Sequence, residues 1–455
     1  MGSEQQYIEL YEQARQLICD HAPAPMNAVR DQAFEDFKAQ GFPTRKVERY
    51  KYTDMQQLFA PDYGVNLSRL EIPVDPYQAF RCDVPNLSTQ LYFVVNDMFY
   101  TQAQPKSHLP EGVIISPLRE HPDIVARYYA KLAKTGEDGV TALNTMLAQD
   151  GMLVYVPRNV KVDRAIQVIN ILKATPQNAQ RVVPDLMVNR RVLIVLEEGA
   201  ELKMLFCDHA ADDRNFLATQ VIEAYVGEQA SLDLYCLEET HYKNVRVSNV
   251  YIDQQRGSRV NHNVITLHNG VTRNKLDLTF SGEGAECQCY GCVIADKQQH
   301  VDNNTLITHH VPHCTSNELY KYVLDDEATG AFAGRVLVEH GAQQTASQMT
   351  NQNLCATKQA RMYTQPMLEI YADDVKCNHG STVGQMDEAA LFYMAQRGIG
   401  PDEGRLLLQQ AFAWDVVLRI GLLPLRQRLM SMVEERFRRG TSLCGDCAMC
   451  QTPNS

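Results

Sequence analysis

The 455-residue sequence predicts a mainly β protein, a β-solenoid (parallel β-helix) or large β-sandwich flanked by α-helical regions. Short alternating apolar runs fill the chain from about residue 151 to residue 377, with almost no helical periodicity. Within them a small residue after a turn recurs at Ala200, Ala230, Ser258 and Ala285, in steps of 30, 28 and 27 residues. Such a repeat is typical of a solenoid whose coils stack their strands on one another.

The first 148 residues are predicted as an N-terminal helical region with one short strand. Apolar residues between positions 7 and 18 fall on one helical face. Asn27 is expected to cap a second helix, which Gly41 ends. A strand is expected at about residues 90–100, and Pro122 is expected to open another helix.

The remaining chain divides into three predicted segments. Residues 149–383 form the β-helix core. Residues 384–440 return to helical periodicity, with helices opened by Pro401 and by Pro424. The tail, residues 441–455, is short, polar and rich in cysteine, and is expected to be disordered.

Composition excludes several function classes. A net charge of −12 argues against nucleic acid or an anionic membrane as the main partner. No apolar run approaches the roughly 18 residues of a membrane span, and the polar N-terminus does not resemble a secretory signal. Thirteen cysteines, an odd number, fit reduced thiols better than a disulfide framework. We therefore expect a cytoplasmic protein.

No common catalytic or nucleotide-binding motif occurs. The sequence lacks a Walker A loop, a G-x-S-x-G elbow and an H-E-x-x-H helix, so we expect a protein that is not an enzyme. The alternative is an enzyme acting on polysaccharides, because parallel β-helices also host such activities. No pair of aspartates stands out to support that alternative.

Two cysteine and histidine clusters are candidate metal sites. His310, His313 and Cys314 carry ligand atoms, yet Pro312 and the strand-like pattern do not place them on one helical face. Their alternative role is to form hydrogen-bonded turns of the solenoid. The tail offers three thiols at regular spacing, Cys444, Cys447 and Cys450, which could hold iron or zinc if a fourth ligand came from elsewhere. Otherwise the tail carries free thiols.

Several segments resemble the SufB/SufD family of iron–sulphur cluster assembly scaffolds of the SUF system, over most of the chain from about residue 40. Residues 41–53, GFPTRKVERYKYT, are similar to the family's G-x-P-x-x-K-x-E-x-W/Y-K-Y-T pattern. Residues 313–321, HCTSNELYK, also look like a family segment. The most specific is residues 368–399, which begin LEIYADDVKCNHG and resemble the SufD branch rather than the SufB branch.

The resemblance implies a right-handed parallel β-helix and a scaffold role without catalysis. It implies two partners, a SufC-type ABC ATPase on the C-terminal helical region and SufB along the β-helix. It also implies a transient iron–sulphur cluster at the SufB–SufD interface, with no tightly bound cofactor. The family's functional histidine falls on His379, whereas Cys377 has no assigned role. An exposed solenoid surface would also allow a homodimer where SufB is absent.

Overall fold

A computed structural model of the chain describes residues 3–70, 76, 90–101, 109–174, 185–211 and 214–439. Strands account for 43% and helices for 26% of the chain, so the predicted mainly β class is confirmed. The core is a β-solenoid of about seven turns, with helices before and after it. No helix among the described segments is long and apolar enough to cross a membrane.

Eight α-helices and three short 3₁₀-helices are seen in the described chain. The α-helices are α1 Gln5–Asp20, α2 Ala24–Gln40, α3 Met55–Leu58, α4 Pro122–Tyr128, α5 Gly139–Leu147, α6 Glu388–Gln396, α7 Pro401–Val417 and α8 Leu423–Arg439. The 3₁₀-helices are Glu48–Tyr50, Leu118–Glu120 and Thr135–Glu137.

Twenty strands follow one another in these ranges. They are β1 Gly64–Val65, β2 Gln90–Val95, β3 Met98–Phe99, β4 Ile114–Pro117, β5 Met152–Val156, β6 Ile166–Leu172, β7 Asp185–Leu196, β8 Glu201–Ala210, β9 Asn215–Val226, β10 Ser231–Glu239, β11 Val245–Gln254, β12 Arg259–His268, β13 Val271–Phe280, β14 Glu286–Ala295, β15 His300–His309, β16 Thr315–Leu324, β17 Thr329–Val338, β18 Thr345–Cys355, β19 Arg361–Ile370 and β20 Val375–Gly384.

The strands form two sheets that alternate along the chain. Sheet A runs β19-β17-β15-β13-β11-β9-β7-β5-β4, with β1 beside β7, and sheet B runs β20-β18-β16-β14-β12-β10-β8-β6-β2-β3. From β5 onwards neighbouring strands within each sheet are parallel. One coil therefore consists of one strand of each sheet and the two turns that join them.

Small residues fill one corner of four successive coils, as the repeat predicted. Ala200, Ala230, Ser258 and Ala285 are buried in one column at the turn from sheet A to sheet B. The amide following each small residue donates to the carbonyl of the previous one; the Ser231 N–H to Ala200 O distance is 2.8 Å. A larger side chain would not fit between the stacked turns, so the column requires small residues.

Helices cover the outer face of both sheets. The N-terminal helices pack Tyr7, Phe37 and Leu143 with their neighbours against the outer side of β7, β9 and β11. The C-terminal helices α7 and α8 pack an apolar stripe, which includes Val416 and Leu429, against the outer side of sheet B. Burial of these stripes is the main force that holds the helical regions to the solenoid.

A strap formed by residues 44–54 extends the N-terminal cover along sheet A towards the last coil. Arg49 pairs with Asp277 of β13 at 2.5 Å, and Thr53 donates to Asp302 of β15 at 2.6 Å. Near the end of the strap, the Tyr52 ring stacks on Tyr363 of β19, with 4.9 Å between ring centroids. The strap therefore ties the later coils to the N-terminal region.

Two details differ from the sequence prediction. Asn27 does not cap α2, because the helix starts at Ala24 after Pro23; its side chain instead donates to the carbonyls of Cys19 and Ala22. The predicted strand near residue 90 exists as β2, but it pairs with β6 and so extends the solenoid into the N-terminal region. The tail, residues 441–455, lies outside the described residues.

Candidate functional site

The last coil, formed by β19 and β20, is the open end of the solenoid. Within the described parts of the chain, each strand pairs on one side only, with β17 and β18 respectively, so each leaves one backbone edge without a strand neighbour. Most residues of β20 are exposed, whereas β16, two strands inward in sheet B, is largely buried. The chain thus presents two ten-residue strand edges on one surface.

His379 and Cys377 lie side by side on β20, both on the face that continues the solenoid interior. Their partners in register on β18 are the buried Met349 and Ser347. His379 is exposed, because no further coil covers it. Cys377 is half-buried against the core, and that burial raises the pKa of its thiol, although the Ser347 N–H beside the sulphur opposes the shift.

Behind His379, ligand-type side chains continue inward in a single column of sheet B. The in-register residues of the preceding coils are Met349, Glu318, Cys289 and His262. All four are buried. This column was not predicted from the sequence, because its members are 27 to 31 residues apart. The repeat length could have aligned them if it had been applied to each successive strand.

The trio His310, His313 and Cys314 is not brought together as a ligand set. His310 pairs through Nδ1 with Glu339 at 2.8 Å, and His313 is exposed in the turn with φ of 63°. The Cys314 thiol points inward and donates to the carbonyls of Gly282 and Pro312, each at 3.5 Å. Cys314 continues the small-residue corner column after Ala285. The N–H of Thr315, the residue that follows Cys314, donates to the carbonyl of Ala285.

Other cysteines in the described chain pack against apolar core residues. Cys287 and Cys289 face the solenoid core, and Cys292 packs beneath α7. All described cysteines are free thiols. The thiols of the tail, Cys444, Cys447 and Cys450, lie outside the described residues, so their metal binding stays a prediction.

An exposed imidazole beside a half-buried thiol can donate two soft ligand atoms to a metal. Within the described ranges, no group of three or more His, Cys, Asp or Glu side chains could hold a metal ion. His379 and Cys377 therefore offer at most part of a coordination sphere. Ligands from another molecule at the open end would have to complete it.

Comparison with known proteins identifies the family. The family model described as SufBD protein N-terminal region matches residues 1–168, and that described as SUF system FeS cluster assembly, SufBD core domain, matches residues 177–412. The second match alone covers more than half of the chain. It spans the solenoid from before β7 through β20 and ends within α7.

Curated relatives of the same family match this chain along most of its length. The iron–sulphur cluster assembly protein SufD of Bacillus subtilis is 25% identical over 96% of this chain and 99% of its own length. SufD of Escherichia coli is 24% identical over 88% and 90%. An iron–sulphur cluster assembly SufBD family protein of Synechocystis is 26% identical over 87% of each chain. The two family models and these relatives establish that the chain belongs to the SufBD family of SUF-system iron–sulphur cluster assembly proteins.

Proposed function

We propose that this chain is a non-catalytic scaffold subunit of a SUF complex in the cytoplasm. In this proposal a SufB-type subunit pairs with the open end of the solenoid, and a SufC-type ABC ATPase docks on the C-terminal helices. A nascent iron–sulphur cluster, the cargo of the complex, assembles transiently where the two solenoids meet. The chain holds no tightly bound cofactor of its own.

The observation that carries the proposal is the open end itself. Among the described residues, six of the twelve exposed large apolar side chains lie between positions 363 and 393: Tyr363, Ile370, Tyr371, Val383, Phe392 and Tyr393. Apolar groups concentrated next to two unpaired strand edges favour association with another chain. A second solenoid end has the matching geometry, because its own last coil offers the same two edges.

The C-terminal helices have the properties that docking of an ATPase requires. Two ion pairs fix them to sheet B: the buried Lys321 pairs with the half-exposed Asp415 at 2.7 Å, and the buried Arg436 pairs with Asp296 at 2.8 Å. Their outer side keeps Leu418 exposed. A partner that moves these helices would therefore also move the solenoid.

His379 is the residue for which we propose a role in cluster formation. Its imidazole is exposed at the open end and belongs to an incomplete ligand set, so a partner could complete the coordination of iron. A histidine shared between subunits would make cluster assembly depend on pairing.

Co-purification tests the partners. Purification of a tagged chain, expressed in the organism from which the protein comes, should recover both an ABC ATPase and a second β-solenoid subunit. Purification of the chain alone, or as a homodimer in cells that contain SufB, would contradict the proposal. Self-pairing is expected only where SufB is absent.

His379→Ala tests the site. The variant should form the complex as the wild type does but yield far less iron and acid-labile sulphide per complex. Asn378→Ala is the matched control, because Asn378 is exposed on the same strand with its side chain on the opposite face. Equal cluster yield in His379→Ala and wild type would remove His379 from the mechanism.

A further inference from the structure

The interior of the solenoid is polar along part of its axis. Five in-register residues of sheet A, Arg190, Gln220, Ser248, Asn274 and Asn303, form an axial polar column that crosses five coils. All five are buried. A buried polar group destabilises the fold unless it is hydrogen-bonded, so each needs partners inside the solenoid.

The charges on this column are neutralised within the protein. Arg190 pairs with Asp208 at 2.6 Å, and Arg246 approaches the other oxygen of the same carboxylate at 2.8 Å. Arg246 also donates to Asn274 at 2.6 Å. The carboxylate of Glu238 is buried close to Arg246 as well. The interior therefore has no large uncompensated charge that would call for an ion at the column.

Two cavities lie along the axial polar column. The first is lined by Asn170, Arg190 and Gln220, among others, and the second by Arg246, His262 and Asn274, among others. Each has a volume of about 10 Å³, at the lower limit for one water molecule. A larger guest would not fit without displacement of the strands.

Each cavity has unused hydrogen-bonding atoms in its wall. In the first, Arg190 Nη2 has no acceptor and Gln220 Oε1 has no donor among the residues that the structure describes. In the second, both ring nitrogens of His262 lack partners although the residue is only 2% exposed. Burial, together with the nearby Arg246, lowers the pKa of His262 to about 4. The neutral ring then has one donor nitrogen and one acceptor nitrogen to satisfy.

We infer that each cavity is a binding site for one ordered water molecule. In the first cavity the water accepts from Arg190 Nη2 and donates to Gln220 Oε1. In the second it bonds to one ring nitrogen of His262, either accepting from the N–H or donating to the unprotonated nitrogen. Water is the ligand that supplies both roles within this volume.

These water sites are separate from the open end. Phe332 follows Asn303 in register and closes the axial polar column. In sheet B, the buried Met349 stands between Glu318 and the terminal His379. The inferred waters therefore support the polar interior, and they do not depend on the proposed function of the terminal coil.

Magnetic relaxation dispersion of water nuclei tests the inference, since it counts water molecules that stay bound for long times. The number of long-lived waters should fall by one in Gln220→Met and by one in His262→Leu, because each change removes polar atoms from one cavity. Gln352→Met, on the outer half-buried face of β18, is the matched control and should leave the number unchanged.

A crystal structure of the wild-type protein checks the same point without any variant. Electron density for a water within hydrogen-bonding distance of Gln220 Oε1, and for another at His262, is the expected result. Empty density at both positions would mean that the cavities are dry and would overturn the inference. The wild-type result decides the matter even if a variant fails to fold.

Discussion

The coils under the N-terminal helices and the terminal coil are built from the same kind of strand, yet their surroundings differ sharply. In the covered coils, ion pairs are sealed from solvent: Arg191 and Glu223 are both 0% exposed at 2.6 Å. At the terminal coil, Glu369 of β19 also pairs with Arg335 of the neighbouring strand β17, but both side chains are more than one-third exposed. Loss of one partner of such an ion pair should therefore lower the free energy of unfolding more in the covered coils than at the terminal coil.

The comparison teaches that burial here depends on what lies next to a coil. β17 and β19 pair in register along ten residues, yet β17 is mainly buried and β19 is not. A missing neighbouring coil accounts for the difference. The covered coils bury their polar and apolar groups, whereas the terminal coil leaves such groups exposed.

The largest effect should follow removal of a buried charge from the covered coils. Glu223→Ala leaves Arg191 without its counter-ion and the backbone N–H groups of Ala130, Leu132 and Ala133 without their acceptor. We expect a loss of about 3–5 kcal/mol in the free energy of unfolding. Urea denaturation followed by circular dichroism measures it.

Glu369→Ala supplies the comparison in the terminal coil, where solvent replaces the lost contact. It should change the midpoint of the same urea transition very little. Equal losses in Glu223→Ala and Glu369→Ala would contradict the proposed difference between the two regions.

The second effect depends on pH and concerns Glu318. Burial raises the pKa of this carboxyl from 4.5 to about 7. The folded protein therefore holds a proton that the unfolded chain has lost between these pH values, so the contribution of Glu318 to stability is fully present below about pH 4.5 and is lost as the pH rises through 7. The loss amounts to about 3 kcal/mol.

Glu318→Gln should remove this part of the pH dependence, because an amide does not ionise. Urea denaturation at pH 5 and pH 8 measures the change for each protein. The wild type should lose more stability than the variant between the two values. Glu238, whose pKa burial also raises to about 7, titrates in both proteins and cancels in the difference. Parallel profiles for the two proteins would show that Glu318 does not ionise in this range.

A smaller effect should follow removal of the aromatic stack between the strap and the terminal coil. Tyr52→Ala removes the stack on Tyr363 and the hydrogen bond from Tyr52 Oη to Gln365 at 3.2 Å. We expect a loss of about 0.5–1.5 kcal/mol, with faster amide hydrogen exchange in β19. Tyr242→Ala, at an exposed tyrosine in a distant turn, is the control and should leave exchange in β19 as it is. Unchanged exchange in Tyr52→Ala would mean that the strap does not stabilise the last coil.

The smallest effect on stability is expected at His379. Because its side chain is exposed and has no neighbouring coil, His379→Ala should change the free energy of unfolding by less than about 0.5 kcal/mol. Thermal unfolding by calorimetry measures it. A large loss would show that His379 supports the fold, so that any loss of cluster in the variant would need another explanation.

Much of the fold could be predicted because the repeat carries physical information. The small residues at Ala200, Ala230, Ser258 and Ala285 mark the tight corner of each coil, and the structure places them in one buried column. Helix starts at Pro122 and Pro401 were also predicted correctly, because proline suits the first turn of a helix.

Other features depend on long-range contacts that local patterns do not contain. Asparagine is more typical of turns than of strands, yet Asn351 and Asn353 lie in strand β18. Asn351 and Asn353 face inward and bond to each other. The ligand-like appearance of Cys314 was equally ambiguous, because a thiol fills a small-residue position about as well as alanine or serine.

The candidate site was predicted only in part. The family resemblance pointed to His379, but nothing in the alternating pattern of β20 indicates that the strand is the last of its sheet. That property depends on the helices that follow, which turn away from the solenoid axis and cover the side of sheet B instead. The exposure of His379 is therefore a result of chain topology.

The stacking of coils makes the solenoid a molecular ruler. Each coil advances the chain along the axis by one strand spacing, about 4.8 Å. The distance from the N-terminal helices to the open end is thus set in whole steps, and evolution could lengthen or shorten it by duplication or loss of one repeat of 27 to 30 residues. Such a change would carry the terminal histidine to a new position with its immediate neighbours intact.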